Sequence, residues 1–168
     1  MMLVPGFHFR CSDMSFQLVG LPFEPFAPLF SLPEQALSDL NARRVTATAK
    51  PGFPCRVSLV DAEIGEELIL LPYSHQPASS PYRSSGPIFV RKAAQQCKLD
   101  PGVVPDYVGL RQMSVRAYDS AHMMTDATVC EGKDVAATLR GMFDDSKVSY
   151  IHLHNAKRGC FSCRVDRV

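Results

Sequence analysis

The chain predicts an α+β fold, a single domain with a largely antiparallel sheet of about seven strands and two helices. Strand-like runs outnumber helical ones by about seven to two. No regular strand–helix alternation marks a doubly wound fold. The last twenty residues read as two short strands joined by a polar turn, a hairpin that closes the sheet.

Phe16 to Val19 forms a short first strand. Pro22, Pro25, Pro28 and Pro33 exclude a long helix before Ser31, because proline removes a backbone donor and clashes with the preceding turn. Ser31-Leu-Pro-Glu34 fits a capping box opening a helix from about Pro33 to Ala42, with Ala36, Leu37 and Leu40 on one side. Arg44 to Ala49 alternates as a strand and ends at Lys50-Pro-Gly-Phe-Pro54. Cys55-Arg-Val-Ser-Leu-Val60 resumes period two, and Leu68 to Leu71 is an apolar run fitting a buried strand. Ser74 to Gly86 is a loop rich in Ser and Pro, long enough to be functional or flexible. Pro87 to Arg91, Met113 to Tyr118 and Met123 to Cys130 are further strands, and Asp134 to Phe143 has the apolar spacing of the second helix.

The domain spans residues 15–168. Residues 1–14 form an N-terminal extension without periodicity, either a disordered tail or a misassigned start with Met14 as the true one. With 18 basic against 17 acidic residues the net charge is +1, which gives no bulk electrostatic reason to expect nucleic acid or an anionic membrane as partner. No run approaches the roughly 18 apolar residues of a membrane helix, and no secretory signal is visible. Six scattered cysteines lack the spacing of a disulfide framework, so the expectation is cytoplasmic protein with free thiols.

The terminal hairpin carries the chemistry. Alternation places Tyr150, His152 and His154 on one strand face and Ile151 and Leu153 on the other. If Phe161, Cys163 and Val165 share the apolar face, Leu153 pairs with Phe161, and His154 lies opposite Cys160, His152 opposite Ser162 and Tyr150 opposite Arg164. On a regular strand Cys160 and Cys163 point to opposite sides, so this C-x-x-C does not converge on one metal. His152 and His154 project side by side and could bind zinc or iron with a third ligand from Cys160, His75 or Asp166. Alternatively, His154 beside Cys160 is a thiol–imidazole pair, a nucleophile with its base. Arg56, Arg91, Arg116 and Arg164 lie on strand faces opposite apolar neighbours, and Arg83 lies in the long loop. If these faces converge, their guanidinium forks clamp a carboxylate or phosphate. A solvated face of ordinary ion pairs is the competing account.

Pro51-Gly-Phe-Pro-Cys-Arg56, Ser80-Pro-Tyr-Arg83, Gly86-Pro-Ile-Phe-Val-Arg91, His154-Asn-Ala, Gly159-Cys160 and Arg164-Val-Asp-Arg167 together resemble the bacterial family catalogued as domain of unknown function 1203. The resemblance runs from Phe16 to Arg167 and implies a small stand-alone bacterial protein, with no activity to transfer. The functional expectation is a site for a small anionic ligand built from Arg56, Arg83, Arg91, His152, His154, Cys160 and Arg164. It serves either an enzyme using His154, with Cys160, or a binding protein. The alternatives are a metal protein using His152 and His154, and a non-enzymatic interaction module presenting Phe23, Phe26 and Phe30 or the Ser74–Gly86 loop.

Overall fold

The computed structural model describes residues 15–168; the expectations for Met14 and the N-terminal extension lie outside the described residues. Among the described residues, eight strands form two antiparallel sheets. The larger has the order β1 (Phe16–Val19), β8 (Phe161–Arg167), β7 (Tyr150–Asn155), β5 (Gln112–Tyr118), β6 (Met124–Glu131). The smaller is β2 (Arg43–Thr46), β3 (Glu67–Gln76), β4 (Ser84–Arg91). The α-helices are α1 (Glu34–Asp39), α2 (Asp106–Gly109) and α3 (Val135–Phe143). No described helix is long and apolar enough to cross a membrane.

Strand alternation sorts the large sheet into two unlike faces. Phe16 and Leu18 of β1, Met113, Val115 and Ala117 of β5, Ile151 and Leu153 of β7, and Cys163 and Val165 of β8 pack with Val135, Leu139, Met142 and Phe143 of α3. Burying each large side chain of this layer stabilises the fold by about 1.5–3 kcal/mol. The opposite face carries Arg116, Tyr118, Tyr150, His152, His154 and Phe161, and there Tyr73 and His75 of β3 meet Phe161 at ring separations of 6.2 and 5.1 Å. The site region is therefore a polar and aromatic layer between the sheets.

Four local expectations change. The terminal hairpin pairs His152 with Arg164, Leu153 with Cys163 and His154 with Phe161, displaced along β8 from the expected register. A bulge leaves Ser162 as the extra residue, and its hydroxyl bonds Tyr107 in the buried interior. That bulge keeps Cys163 and Val165 in the α3 core while turning Phe161 onto the histidine face. Cys55 to Val60 is a buried turn, closed by Cys55 N–H to Val60 O at 2.9 Å and Leu59 N–H to Cys55 O at 3.1 Å. Its period-two apolar pattern arises because Cys55, Val57 and Leu59 plug the space between the elements around it.

The capping box does not form: Pro33 is the N-cap of α1 without a side-chain cap, and Ser31 ends a preceding 3₁₀ helix, Ala27–Ser31. The Ser74–Gly86 loop shortens to residues 77–83, since cross-strand pairing carries β3 to Gln76 and starts β4 at Ser84. Phe26 is buried, with Phe23 and Phe30 packed as a lid on the cluster containing Cys55, Val57, Ile88 and Phe161.

Gly20 connects β1 to that buried turn. Its N–H donates to Cys97 O at 2.8 Å, and a Cβ at this position would stand 1.9 Å from the Val57 carbonyl oxygen. Because the obstructing atom is backbone, Gly20→Ala is expected to destabilise the protein by about 2–3 kcal/mol. Urea unfolding measures this; a loss within about 0.5 kcal/mol would contradict the close approach.

Candidate functional site

Arg56 leaves the buried turn and runs into the molecule. It is 2% exposed, its Nε–H donates to Phe161 O of β8 at 2.8 Å, and its Nη1–H donates to Pro54 O. Its backbone N–H bonds Phe89 O of β4 at 3.0 Å, and its carbonyl accepts from Leu21 N–H at 2.7 Å. One residue thus ties both sheets and the chain after β1. No ion pair among the described residues involves it. Burial pushes its pKa below the ordinary value, opposed by the nearby Tyr107 hydroxyl and the thiols of Cys160, Cys55 and Cys163. Arginine nevertheless stays cationic in proteins, so a positive charge sits here without a carboxylate.

That guanidinium forms part of the wall of a cavity of about 430 Å³. Arg111, Lys157, Arg158, Gln112, Asn155 and Cys160 line it too, with Pro54, Leu70 and Phe89 among the apolar walls and no Asp or Glu. Arg111 is already neutralised by Asp61 at 2.6 Å, so the uncompensated charges are Arg56 and the exposed Lys157 and Arg158. Gly159, with φ of +72°, makes the turn that brings Cys160 back to the start of β8. The Cys160 thiol donates to Arg158 O at 3.8 Å.

The histidines form a second constellation. His152 and His154 are 2% and 1% exposed, and their rings lie 6.2 and 5.0 Å from that of His75. Phe161 stacks on His75 and meets the other two edge-on at 5.2 and 5.8 Å. Around them Tyr118 stacks on Tyr150, and the Tyr150 hydroxyl is bonded by Gln76 at 2.7 Å and His122 at 2.9 Å. His154 Nδ1 donates to Gly159 O at 2.9 Å, which fixes its tautomer and leaves Nε2 as a bare acceptor. His154 Nε2 and His152 Nδ1 are buried without a partner. Burial, then repulsion from His154, His75, Arg164 and Arg116, lowers His152 to about 3. His154 falls to about 4 through burial, opposed by its bond to Gly159 and reinforced by Arg116, His75 and Arg56. Both imidazoles are neutral at pH 7.

The anticipated residues therefore divide. Arg56 and Cys160 share the cavity, while His152 and His154 belong to the intersheet cluster. His154 reaches the cavity turn through Gly159, and imidazole and thiol each bond the turn backbone. Arg91 pairs with Glu66 at 2.5 Å, and Arg164 pairs with Asp166 at 2.8 Å while covering the Tyr150 ring at 4.1 Å. Arg83 is exposed in the β3–β4 loop. Cys163 is on the core side, its thiol pushed up to about 12 by burial. Among the described residues no group of three or more His, Cys, Asp or Glu is placed to hold a metal ion. Arg111, Lys157 and Arg158 were not among the expected site residues, although the last two stand in the turn immediately before Cys160.

The chain belongs to the family described as "Protein of unknown function (DUF1203)", whose model matches residues 52–167. No curated protein and no solved structure matches it. The matched segment contains Arg56, the three clustered histidines and the cavity turn before Cys160.

Neutral, buried histidines make the fold acid-sensitive. Below pH 6.5 the unfolded chain takes up protons on His152 and His154 that the native chain accepts only near pH 3 and 4. Stability is therefore undiminished by these groups above pH 6.5 and falls as pH drops through the window, by up to ~1.4 kcal/mol per pH unit per histidine. Urea unfolding between pH 7 and 4 is expected to show a shallower decline in His152→Leu than in the wild-type chain. Equal slopes would mean that His152 titrates normally in the folded state.

Proposed function

We propose that the protein binds a small anionic ligand, a phosphate- or carboxylate-bearing molecule, in the cavity walled by Arg56 and Cys160. The observation that carries this is the Arg56 charge, almost fully buried with backbone carbonyls as its only hydrogen-bond acceptors among the described residues. A buried cation without a counter-ion costs several kcal/mol. An anion entering the cavity relieves that cost and gains charge-assisted hydrogen bonds. Lys157 and Arg158 add positive potential on the wall, and the Asp61 carboxylate behind it is paired with Arg111. His154 positions the turn from behind through Gly159. The reading belongs to a reducing cytoplasm, in which the scattered cysteines remain thiols.

Thermal unfolding with inorganic phosphate, sulfate and succinate, against chloride at matched ionic strength, tests it. At about 100 times its dissociation constant a ligand adds ~2.7 kcal/mol, which raises Tm by about 5–10 °C for a chain of this size. Lys157→Gln combined with Arg158→Gln, both exposed positions, is expected to reduce the shift without lowering the unliganded Tm. Failure of every anion to raise Tm at millimolar concentration would overturn the reading.

The unpartnered His152 Nδ1 and His154 Nε2 favour metal binding as a second reading. Zinc or iron there would need further ligands from solvent or from a bound molecule, since structural zinc sites take four. Near-stoichiometric metal in protein purified without chelator, lost in His152→Ala, would put this reading first; metal-free folded protein is the outcome expected if the cavity alone binds.

A further inference from the structure

Cys160 is the one thiol among the cavity's lining residues, and its side chain is partly open to solvent. It sits between the exposed cations Lys157 and Arg158 in sequence and the buried Arg56 across the wall. Arg56 uses Nε and Nη1 on backbone carbonyls, leaving Nη2 without a hydrogen bond among the described residues. A thiol reached through uncompensated positive charge meets negatively charged reagents at raised local concentration.

We propose that Cys160 undergoes thiol–disulfide exchange with small anionic disulfides and carries the resulting mixed disulfide as a reversible modification. This rests on the anion-binding reading of the same cavity. Cys160 loses its proton to solvent, and its sulfur attacks one sulfur of the incoming disulfide. A new S–S bond forms to Cys160 as the reagent's S–S bond breaks, and the departing thiolate takes up a proton. Cys160 is oxidised and the departing half of the reagent is reduced, so no further oxidant is needed.

The hairpin bulge decides how long the adduct lasts. Cys163 is paired with Leu153 and buried in the core against α3, and it is not among the residues lining the cavity. It is 2% exposed, so it is not presented to resolve a mixed disulfide on Cys160. The C-x-x-C spacing therefore holds one reactive thiol and one packing thiol. The adduct persists until an external thiol removes it, and while present it occupies the anion cavity.

The test exposes tag-free protein to oxidised glutathione, an anionic disulfide, and to cystamine, a cationic one. Each labelling rate is divided by that reagent's rate with a small free thiol. Intact mass and peptide mapping are expected to show one glutathione on Cys160, added roughly ten-fold faster than cystamine on this scale. Lys157→Gln combined with Arg158→Gln should abolish the preference, and salt at about 1 M should compress it, because the screening length falls to about 3 Å. Cys160→Ser should leave that peptide unlabelled. Labelling mainly at another cysteine, or equal scaled rates for the two reagents, overturns the proposal. If Cys160→Ser still gains Tm from phosphate, that failure is confined to the thiol chemistry. If it gains none, the anion reading fails with it.

Discussion

The structure depends on a buried guanidinium. Arg56 holds the carbonyl of Phe161 from the five-stranded sheet and that of Pro54 from its own turn, while its backbone bonds Phe89 of the three-stranded sheet and Leu21 after β1. Hydrogen bonds from a charged donor contribute about 1.5–3 kcal/mol each, against a desolvation cost of several kcal/mol for the ion. The geometry of the Phe161 backbone therefore follows from the position of Arg56. Phe161 in turn sets the packing of His75, His152 and His154, because its ring touches all three. Cavity and histidine cluster are two sides of one brace.

The bulge at Ser162 gives that brace its chemical consequence. A regular strand would place Phe161 on the same face as Cys163, filling the α3 core and leaving the histidines without their aromatic partner. With one extra residue, Phe161 faces the histidines, Ser162 bonds Tyr107, and Cys163 remains in the core. Burial raises the Tyr107 hydroxyl far above its ordinary value, so it enters this network as a neutral group. The Tyr107 and Cys163 side chains are thus neutral, and the charge beside them is that of Arg56.

The α+β class, the antiparallel pairing and most strands were legible because apolar alternation reports directly which residues a sheet buries. Met113 to Tyr118 and the terminal hairpin illustrate this. The same signal misled at Cys55–Val60, where a buried turn has period-two apolar spacing without being a strand. Register was illegible at Phe161, since a bulge inverts faces without changing composition. The helix α2 was missed because four residues that follow Pro105 and end at Gly109 carry no helical period. Within the site, Arg56 and Cys160 were recognisable as residue types, and the hairpin identified the histidine face. Their separation into cavity and cluster depends on which backbone carbonyls and carboxylates each arginine meets. Arg91 finds Glu66, Arg164 finds Asp166, and Arg56 finds carbonyls alone. Those long-range partners are a property of the folded chain and leave no local pattern.

The central claim is that the Arg56 charge is completed by an anion from outside the protein. A crystal structure grown with selenate tests it most directly, because the anomalous signal of selenium locates the anion independently of its shape. The account predicts a peak in the cavity within hydrogen-bonding distance of the Arg56 guanidinium, about 2.7–3.2 Å from a selenate oxygen to nitrogen. Peaks confined to exposed lysines and arginines, with no anion against Arg56, would contradict it.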